Sequence, residues 1–169
     1  MSKTADHIID VMAELVQSRG YSAVSYQDIS EAVGIRKASI HYHFPSKTDL
    51  GVAVIKKYSQ SLMDLLHAAD ADPSVTAKDK LDAFFAPYLS FRGKDPRICL
   101  CGALAGEFYA LPEAMQAEVT RFFEAQQAWL AGLFEANETS GALKVQGTPQ
   151  QTARLIFGAL QGALLAKRA

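Results

Sequence analysis

The chain has 169 residues, of which 49% are hydrophobic, and a formal net charge of −1. This length and composition suit one or two compact domains, and the near-neutral charge gives no global sign of nucleic-acid binding. The two cysteines are separated by one residue, which does not make a secreted disulfide framework. No apolar run reaches the ~20 residues that span a bilayer, and the polar N-terminus is not a secretory signal, so we expect a cytoplasmic protein.

The first predicted helix covers residues 4–19, because its apolar residues recur at helical spacing. Gly20 ends this helix. Ser25 then caps a second helix, with Asp28 placed as the partner in a capping box. Gly34 supplies a tight turn into a third helix, which Pro45 stops because it pushes the preceding residue towards an extended conformation. Two short helices joined by a turn form a helix-turn-helix, whose second helix enters the major groove of DNA.

The remaining chain is also predicted to be helical. Ser46 begins a long helix that connects the N-terminal head to a body, and Pro112 opens another long helix. Nothing in the sequence indicates a strand. The predicted body helices cover residues 46–68, 75–92, 98–111, 112–139 and 150–167, and loops are predicted over 70–74, 93–96 and 141–149. The fold class is therefore all-α.

The third helix carries a polar outward face with DNA-binding chemistry. No acid lies between Glu31 and Asp49, so this face is basic inside a neutral protein. Arginine and lysine donate to guanine edges or to phosphates. A lysine in the first turn of a helix opposes the helix dipole, and for the lysine after Ser46 a nearby phosphate supplies the reason. The candidate DNA-binding residues are Ser25, Arg36, Lys37, Ser39, His41, Tyr42 and Lys47. His41 and His43 are two residues apart and point to different sides of the helix, so we expect no metal site.

Residues 4 to about 55 resemble the N-terminal domain of the TetR family of bacterial transcriptional regulators. The matching segments are RGY at 19–21, ISEAVGI at 29–35 and IHYHFPSK at 40–47. The resemblance implies that Ser25, Tyr42 and Lys47 hold phosphates, and that Arg36, Lys37, Ser39 and His41 face bases or groove walls. Many members have tyrosine where His41 stands. A histidine that touches DNA there makes the contact pH-sensitive, because histidine titrates near neutrality.

The resemblance also implies a homodimer, because family members usually dimerise through their final two helices. We expect a three-helix head over residues 1–48 and a helical effector-binding and dimerisation domain over residues 49–169. Small residues in the last helix allow close approach of a partner, and the long helix before it has a wide apolar face. The candidate interface residues are Phe123, Leu130, Phe134, Gly158 and Gly162. Related proteins commonly extend further, so this is either a short member or a truncated sequence.

An effector pocket is expected inside the body. Cys99 and Cys101 follow the basic Arg97 at a predicted helix start, where a thiol is biased towards thiolate and reacts with electrophiles. The alternative is that both cysteines only pack in the core, which is the usual place for a free cysteine. The aromatic candidates likewise have core packing as their alternative. The candidate effector residues are Cys99, Cys101, Tyr88, Glu107, Phe108 and Trp129.

The sequence therefore predicts a DNA-binding regulator, in first place a repressor. As a homodimer it would bind a palindromic operator in double-stranded DNA, and a small-molecule or thiol-reactive effector would release it. It would be cytoplasmic, associated with the nucleoid when bound, and without a membrane partner or a cofactor. The alternatives are a helical scaffold whose head binds protein and a cysteine-dependent enzyme. The enzyme finds little support, because the chain has no phosphate loop, nucleophile elbow or metal-spaced cluster.

Overall fold

A computed structural model describes residues 2–91, 93, 95–137, 143 and 147–169. Within these residues the secondary structure is helical and contains no strand, which confirms the all-α class. The α-helices are α1 (Lys3–Arg19), α2 (Tyr26–Val33), α3 (Lys37–His43), α4 (Lys47–Ala71), α5 (Ala77–Leu89), α6 (Leu100–Ala105), α7 (Glu113–Asn137) and α8 (Pro149–Arg168). A short 3₁₀ turn covers Phe108–Ala110.

Side-chain caps set the starts of the two helices that flank the recognition segment. Ser25 caps α2, and its side chain and that of Asp28 exchange hydrogen bonds with each other's backbone amides. Ser46 and Asp49 form the same capping box at the start of α4. Each box satisfies amide groups that have no partner within the helix, so both predicted helix starts are confirmed.

Three short helices form the head around a small apolar centre. Ile29 on α2 and Ile40 on α3 are completely buried, and Phe44 is buried at the end of α3. Gly34 joins α2 to α3 with φ +74°, a left-handed conformation that glycine adopts without steric cost. Because Ile40 anchors α3 from one side, the other side of this two-turn helix faces outward.

The linking helix α4 is longer than predicted and buries a different leucine near its C-terminal end. Leu50 and Val54 are buried. Leu65 is 44% exposed, and the neighbouring Leu66 is buried instead. Steps of four residues from Leu50 and Val54 reach Leu66, and Leu65 lies about 100° away from Leu66 around the helix.

Several predicted boundaries were wrong in the body. The helix expected over 75–92 covers only Ala77–Leu89. The helix expected over 98–111 begins at Leu100 and breaks after Ala105, where Gly106 and the non-helical Glu107 separate α6 from the 3₁₀ turn. Glycine weakens a helix, and the side chain of Glu107 is drawn to another part of the molecule. The loop expected over 141–149 lies mainly outside the described residues.

The body is held by an aromatic cluster between α5, α7 and α8. Phe84, Tyr88, Phe122 and Phe157 are each at most 2% exposed, and their ring centroids lie 5.7–6.3 Å apart in the contacting pairs. The cluster continues through α6 and α4 to α1, so head and body share one apolar core. None of the helices within the described residues is long and apolar enough to cross a membrane.

Shortening the Ile40 side chain tests how α3 is anchored. We expect Ile40→Ala to lower the free energy of unfolding by about 2–5 kcal/mol, because it leaves a cavity under the helix. Chemical denaturation followed by circular dichroism measures this change. Tyr42→Ala is the matched control two residues away: Tyr42 is 83% exposed, and its loss should change stability by no more than about 0.5 kcal/mol. Equal losses for the two variants would show that α3 is not anchored by Ile40.

Candidate nucleic-acid interface

The outward side of α3 presents a basic and polar surface. Its members are all exposed: Arg36, Lys37, Ser39, His41 and Tyr42. Arg36 occupies the capping position before the helix, but its side chain makes no capping hydrogen bond. The structure thus leaves five of the predicted DNA-binding residues exposed along and just before α3, while Ile40 in the same segment is buried. Cationic and hydroxyl groups on the first turns of a helix are what phosphate and base edges require.

The ring of His41 is oriented by two contacts with its neighbours. Its Nδ1 lies 3.3 Å from the carbonyl oxygen of Pro45, and its ring packs edge-on against Tyr26 at a centroid distance of 4.7 Å. The hydrogen-bond geometry assigns the Nδ1 proton to the Pro45 contact. Nε2 is then the atom left for a partner in the groove, and it accepts a hydrogen bond when the ring is neutral and donates one when the ring is protonated.

Ser25 is occupied as a helix cap in the free protein. Its Oγ donates to Oδ2 of Asp28 at 2.5 Å and accepts from the Asp28 amide at 3.3 Å. Hydrogen bonds from Ser25 hold the pKa of the Asp28 carboxyl below its usual value, and Arg19, 3.5 Å away, contributes in the same direction. To donate a hydrogen bond to a phosphate, the Ser25 hydroxyl must therefore turn its hydrogen away from Asp28.

Lys47 has an internal partner that the sequence did not reveal. Its Nζ donates to the carbonyl oxygen of Tyr21 at 2.7 Å and lies 4.0 Å from the centre of the Tyr21 ring. Burial lowers the pKa of Lys47, and the charges of Glu107 and Asp28 oppose that shift. A phosphate is therefore not the only reason for a lysine in the first turn of α4, and Lys47 keeps two further N–H donors for a phosphate while it binds Tyr21.

Comparisons with known proteins identify this arrangement. Residues 8–54 match the family described as "Bacterial regulatory proteins, tetR family". The transcriptional regulator AcuR of Cereibacter sphaeroides is 30% identical over 90% of this chain and 70% of its own length. A TetR transcriptional regulator from Legionella pneumophila has a crystal structure that superposes with a TM-score of 0.88 at 36% identity, covering 99% of this chain and 88% of that one. The chain belongs to the TetR family.

This TetR-family chain is accordingly a DNA-binding transcriptional regulator with a helix-turn-helix head. The transcriptional repressor DhaR of Mycobacterium sp. is another relative, 28% identical over 94% of this chain and 79% of its own length. These relatives align along most of the chain, so the likeness covers the helical body as well as the head.

The body of this TetR-family protein brings only half of the predicted effector residues together. Tyr88, Cys99 and Cys101 are buried close to one another, and the pKa of Tyr88, raised chiefly by burial, is raised further by the two cysteines. Trp129 lies elsewhere: it stacks on Phe84 and donates to Asp70 at 2.7 Å. Trp129 therefore helps to close the outer side of the aromatic cluster.

The structure does not place Glu107 inside the body, where it was predicted as a polar group of the effector pocket. Its carboxylate accepts hydrogen bonds from the backbone amides of Tyr21 and Ser22, at 2.8 and 2.9 Å, and so contacts the head. The adjacent Phe108 is half-buried, and its ring contacts the 96% exposed Tyr109. Neither residue belongs to the buried polar group around the cysteines.

The cysteine surroundings favour the packing interpretation. Burial raises the pKa of the Cys99 thiol and raises the pKa of the Cys101 thiol well above its usual value, which disfavours thiolate formation at both cysteines. Arg97, which was expected to stabilise a thiolate, instead pairs with Asp95 at 2.9 Å and with Glu14 at 3.7 Å. The activation predicted from Arg97 was therefore wrong, because the guanidinium is committed to surface carboxylates.

Three polar residues beside Tyr88 and the cysteines were not predicted as part of the effector site. Gln126 accepts from the Tyr88 hydroxyl at 3.2 Å, and Gln161 donates to the Cys99 sulfur at 3.5 Å. Tyr58 is half-buried beside Cys99, and its pKa is raised first by desolvation and further by Cys99. A glutamine inside an apolar helix stripe was the available signal for Gln126 and Gln161.

Two predicted interface residues are internal. Leu130 is completely buried and Phe134 is 3% exposed, so both fill the core of one protomer and were wrong as dimer contacts. Phe123 is half-buried, whereas Gly158 and Gly162 are exposed, and a Cβ added at either glycine would meet open space. The wide apolar face of α7 is thus explained by contacts with α4, α5, α6 and α8.

Thiol modification tests the burial of the cysteines. A maleimide should react with the folded protein at least about tenfold more slowly than with the unfolded protein, because buried thiols with raised pKa values are poor nucleophiles. Mass spectrometry over time counts the labels, and both cysteines should be labelled in guanidinium. Rapid labelling of either cysteine in the folded protein would restore the reactive-thiol interpretation.

Proposed function

We propose that this chain is a repressor that binds a palindromic operator as a homodimer and is released by a small molecule bound in its body. The observation that carries the proposal is the exposed face of α3, where Arg36 and Lys37 stand beside the polar side chains of the helix. The relative DhaR is a transcriptional repressor, which supports repression as the direction of regulation.

Individual roles on this face follow from side-chain reach and chemistry. Arg36 and Lys37 suit guanine edges or the groove walls, and Ser39 and His41 stand further along the same helix. Tyr42, Ser25 and Lys47 are proposed to hold phosphates on either side of the groove. Ser25 must first exchange its internal partner Asp28 for a phosphate oxygen, whereas Lys47 has further N–H donors and can keep its bond to Tyr21.

We also propose the division into a head over residues 1–48 and a body over residues 49–169. The boundary falls in the first turn of α4, which starts at Lys47 and runs without a break to Ala71. A continuous helix fixes distances along its axis at 1.5 Å per residue. Displacements within the body therefore reach the base of the recognition helix without passing through a flexible linker.

The proposed dimer surface is the outer side of α8. Gly158 and Gly162 stand one turn apart on this side, and small residues there let a second helix approach closely. Leu155 is 74% exposed on the same helix, and with these small residues it makes an exposed apolar patch of the kind that marks interaction sites. The exposed residues that make up this surface are Leu155, Gly158, Ala159, Gly162, Ala163 and Ala166. A two-fold dimer places two recognition helices about 34–36 Å apart, matching one turn of DNA.

The effector is proposed to enter the polar part of the body core. Tyr88, Gln126 and Gln161 supply hydrogen-bonding groups there, and Oε1 of Gln161 has no hydrogen-bond partner among the described residues. A small molecule with a donor group could satisfy that atom. Its binding would favour one arrangement of the body helices and shift the population of heads towards a spacing that no longer fits the operator.

The rival functions have less support. Relatives along the whole chain are transcriptional regulators, so we infer that the protein is not an enzyme and that its head binds DNA rather than protein. The side chains that act on Cys99 are Gln161 and Tyr58, and a cysteine nucleophile needs a general base instead. We place the protein in the cytoplasm, associated with the nucleoid when bound.

Substitutions on α3 test the proposed contacts with duplexes selected from a random pool by the wild-type protein. Arg36→Ala should weaken binding by about 1–3 kcal/mol and relax the preference at one position of each half-site. Tyr42→Phe should weaken binding to every duplex by about 0.5–1.5 kcal/mol, because it removes only a phosphate contact. Fluorescence anisotropy at several salt concentrations measures both effects.

Lys78→Ala is the control for the loss of one positive charge. Lys78 is exposed on α5 and pairs with Asp82, away from the proposed interface. Its replacement should leave affinity and sequence preference unchanged. If Arg36→Ala behaved like Lys78→Ala, α3 would not be the recognition helix.

Bulk on α8 tests the dimer surface. Gly158→Leu should convert the dimer into monomers and reduce operator affinity at least about tenfold, because it blocks close approach of the partner helix. The fold of the protomer should be kept, since a Cβ at Gly158 meets open space and leucine is a better helix former by about 0.8–1 kcal/mol. Sedimentation velocity measures the mass. Gly132→Leu, at an equally open exposed position on α7, should remain dimeric. A dimeric Gly158→Leu variant would remove α8 from the interface.

A further inference from the structure

The turn between α1 and α2 is held by a residue of the body. Oε1 of Glu107 accepts from the Tyr21 amide at 2.8 Å, and Oε2 accepts from the Ser22 amide at 2.9 Å. One carboxylate therefore holds two successive amides that are 86 and 85 residues away in the chain. Charge-assisted hydrogen bonds of this kind are about twice as strong as neutral ones. We call this arrangement of Glu107, Tyr21 and Ser22 the clamp.

Gly20 is shaped to the clamp in two ways. Its φ of +88° is a conformation that side chains rarely adopt, and a Cβ at this position would lie only 2.2 Å from Oε1 of Glu107. Helix termination explains the first requirement. The second exists only because a carboxylate from the body approaches the turn so closely.

Lys47 holds the same turn from the opposite side. It donates to the carbonyl oxygen of Tyr21 at 2.7 Å, while Glu107 receives the amide of that residue. The turn is thus fixed between a cation at the start of α4 and an anion from the body. Since α4 follows the recognition helix directly, the clamp ties the body to the base of the DNA-binding surface.

The helix just before Glu107 is also packed tightly against the proposed dimer helix. Gly102 of α6 is buried, and a Cβ there would lie 2.4 Å from Oε1 of Gln161 on α8. Six residues of α-helix span only about 9 Å, so α6 is a short rigid body. Glu107 follows the last residue of α6 by two positions, so a displacement of α6 against α8 moves Glu107 as well.

Glu107 is ionised in the working range of the protein. Burial alone would raise the pKa of its carboxyl, but the hydrogen bonds from Ser22 and Tyr21 and the charge of Lys47 together hold that pKa below its usual value. The folded pKa is therefore lower than the unfolded one. The contribution of the clamp to stability is complete above the ordinary glutamate pKa of about 4.3 and is lost as the pH falls through the folded pKa.

We propose that Glu107 is a positioning residue for DNA binding, which fixes the angle at which each head is presented by holding the turn at Tyr21 and Ser22 from the body. This inference rests on the proposed dimer and its palindromic operator. Cutting the clamp leaves the contacts of each head with its own half-site intact. It removes the alignment that lets two heads bind one duplex together. The affinity for the full site therefore falls, and the affinity for a single half-site does not.

The experiment measures the affinity of the wild type and of Glu107→Gln for each of three duplexes. The first is the full site selected from a random pool by the wild-type protein, the second has one base pair inserted at its centre, and the third contains a single half-site. Glu107→Gln should bind the full site about tenfold more weakly, which lies within the usual range of coupling between sites. Half-site affinity should stay within about twofold, and the penalty for the inserted base pair should shrink.

Two controls separate positioning from other roles. Glu113→Gln removes an exposed carboxylate near the start of α7 and should bind all three duplexes like the wild type. Arg36→Ala, which removes a direct contact, should weaken all three. Amide exchange followed by NMR gives a readout without DNA: the Tyr21 and Ser22 amides should exchange about tenfold faster in Glu107→Gln, while the Phe84 amide in α5 keeps its rate.

Each remaining outcome overturns the inference in a recognisable way. If Glu107→Gln bound all three duplexes like the wild type, the clamp would not position the head. If it lost affinity for all three equally, Glu107 would only support folding. If the wild type selected no duplex at all, the proposed function would fail first, and the positioning role would fall with it.

Discussion

The burial of one face of α1 is the constraint on which the rest of the structure depends. Ile8, Ile9, Met12 and Val16 are each at most 2% exposed. The helix that carries them contacts α2 and α3 in the head and α4 and α6 in the body. A helix that is buried against both parts cannot move relative to one without disturbing the other, because protein interiors are close-packed. Head and body are consequently coupled by their shared core before any specific polar contact is considered.

Hydrogen bonds from the body to the C-terminal end of α1 strengthen this coupling. Ile98 donates its amide to the carbonyl of Gln17 at 3.3 Å, and Arg168 donates to the carbonyl of Ser18 at 3.0 Å, so the C-terminal end of α1 is held by the segment before α6 and by the end of α8. Together with the clamp at Glu107, these hydrogen bonds hold the C-terminal end of α1 and the turn that follows it. Orphan carbonyls at a helix end need such partners, and here the body supplies them.

The recognition surface and the body core obey opposite requirements. On α3, Ile40 is the buried residue, and the other side chains are available for contacts in the groove. In the body, Tyr88, Gln126 and Gln161 are buried with their polar groups, which is unfavourable unless those groups are bonded. Oε1 of Gln161 is the buried polar side-chain atom among the described residues that lacks a hydrogen-bond partner.

The sequence by itself determined the local features: the caps at Ser25 and Ser46, the turn at Gly34, the stop before Pro45, and with them the helix-turn-helix and the all-α class. These follow from interactions within a few residues, which leave periodic and positional marks in the chain. Only the tertiary structure decided that Leu130 and Phe134 are internal and that Glu107 reaches the head, because an apolar residue looks the same in a core as in an interface. Likewise, the partners of Glu107 and Lys47 lie 86 and 26 residues away, beyond any local pattern.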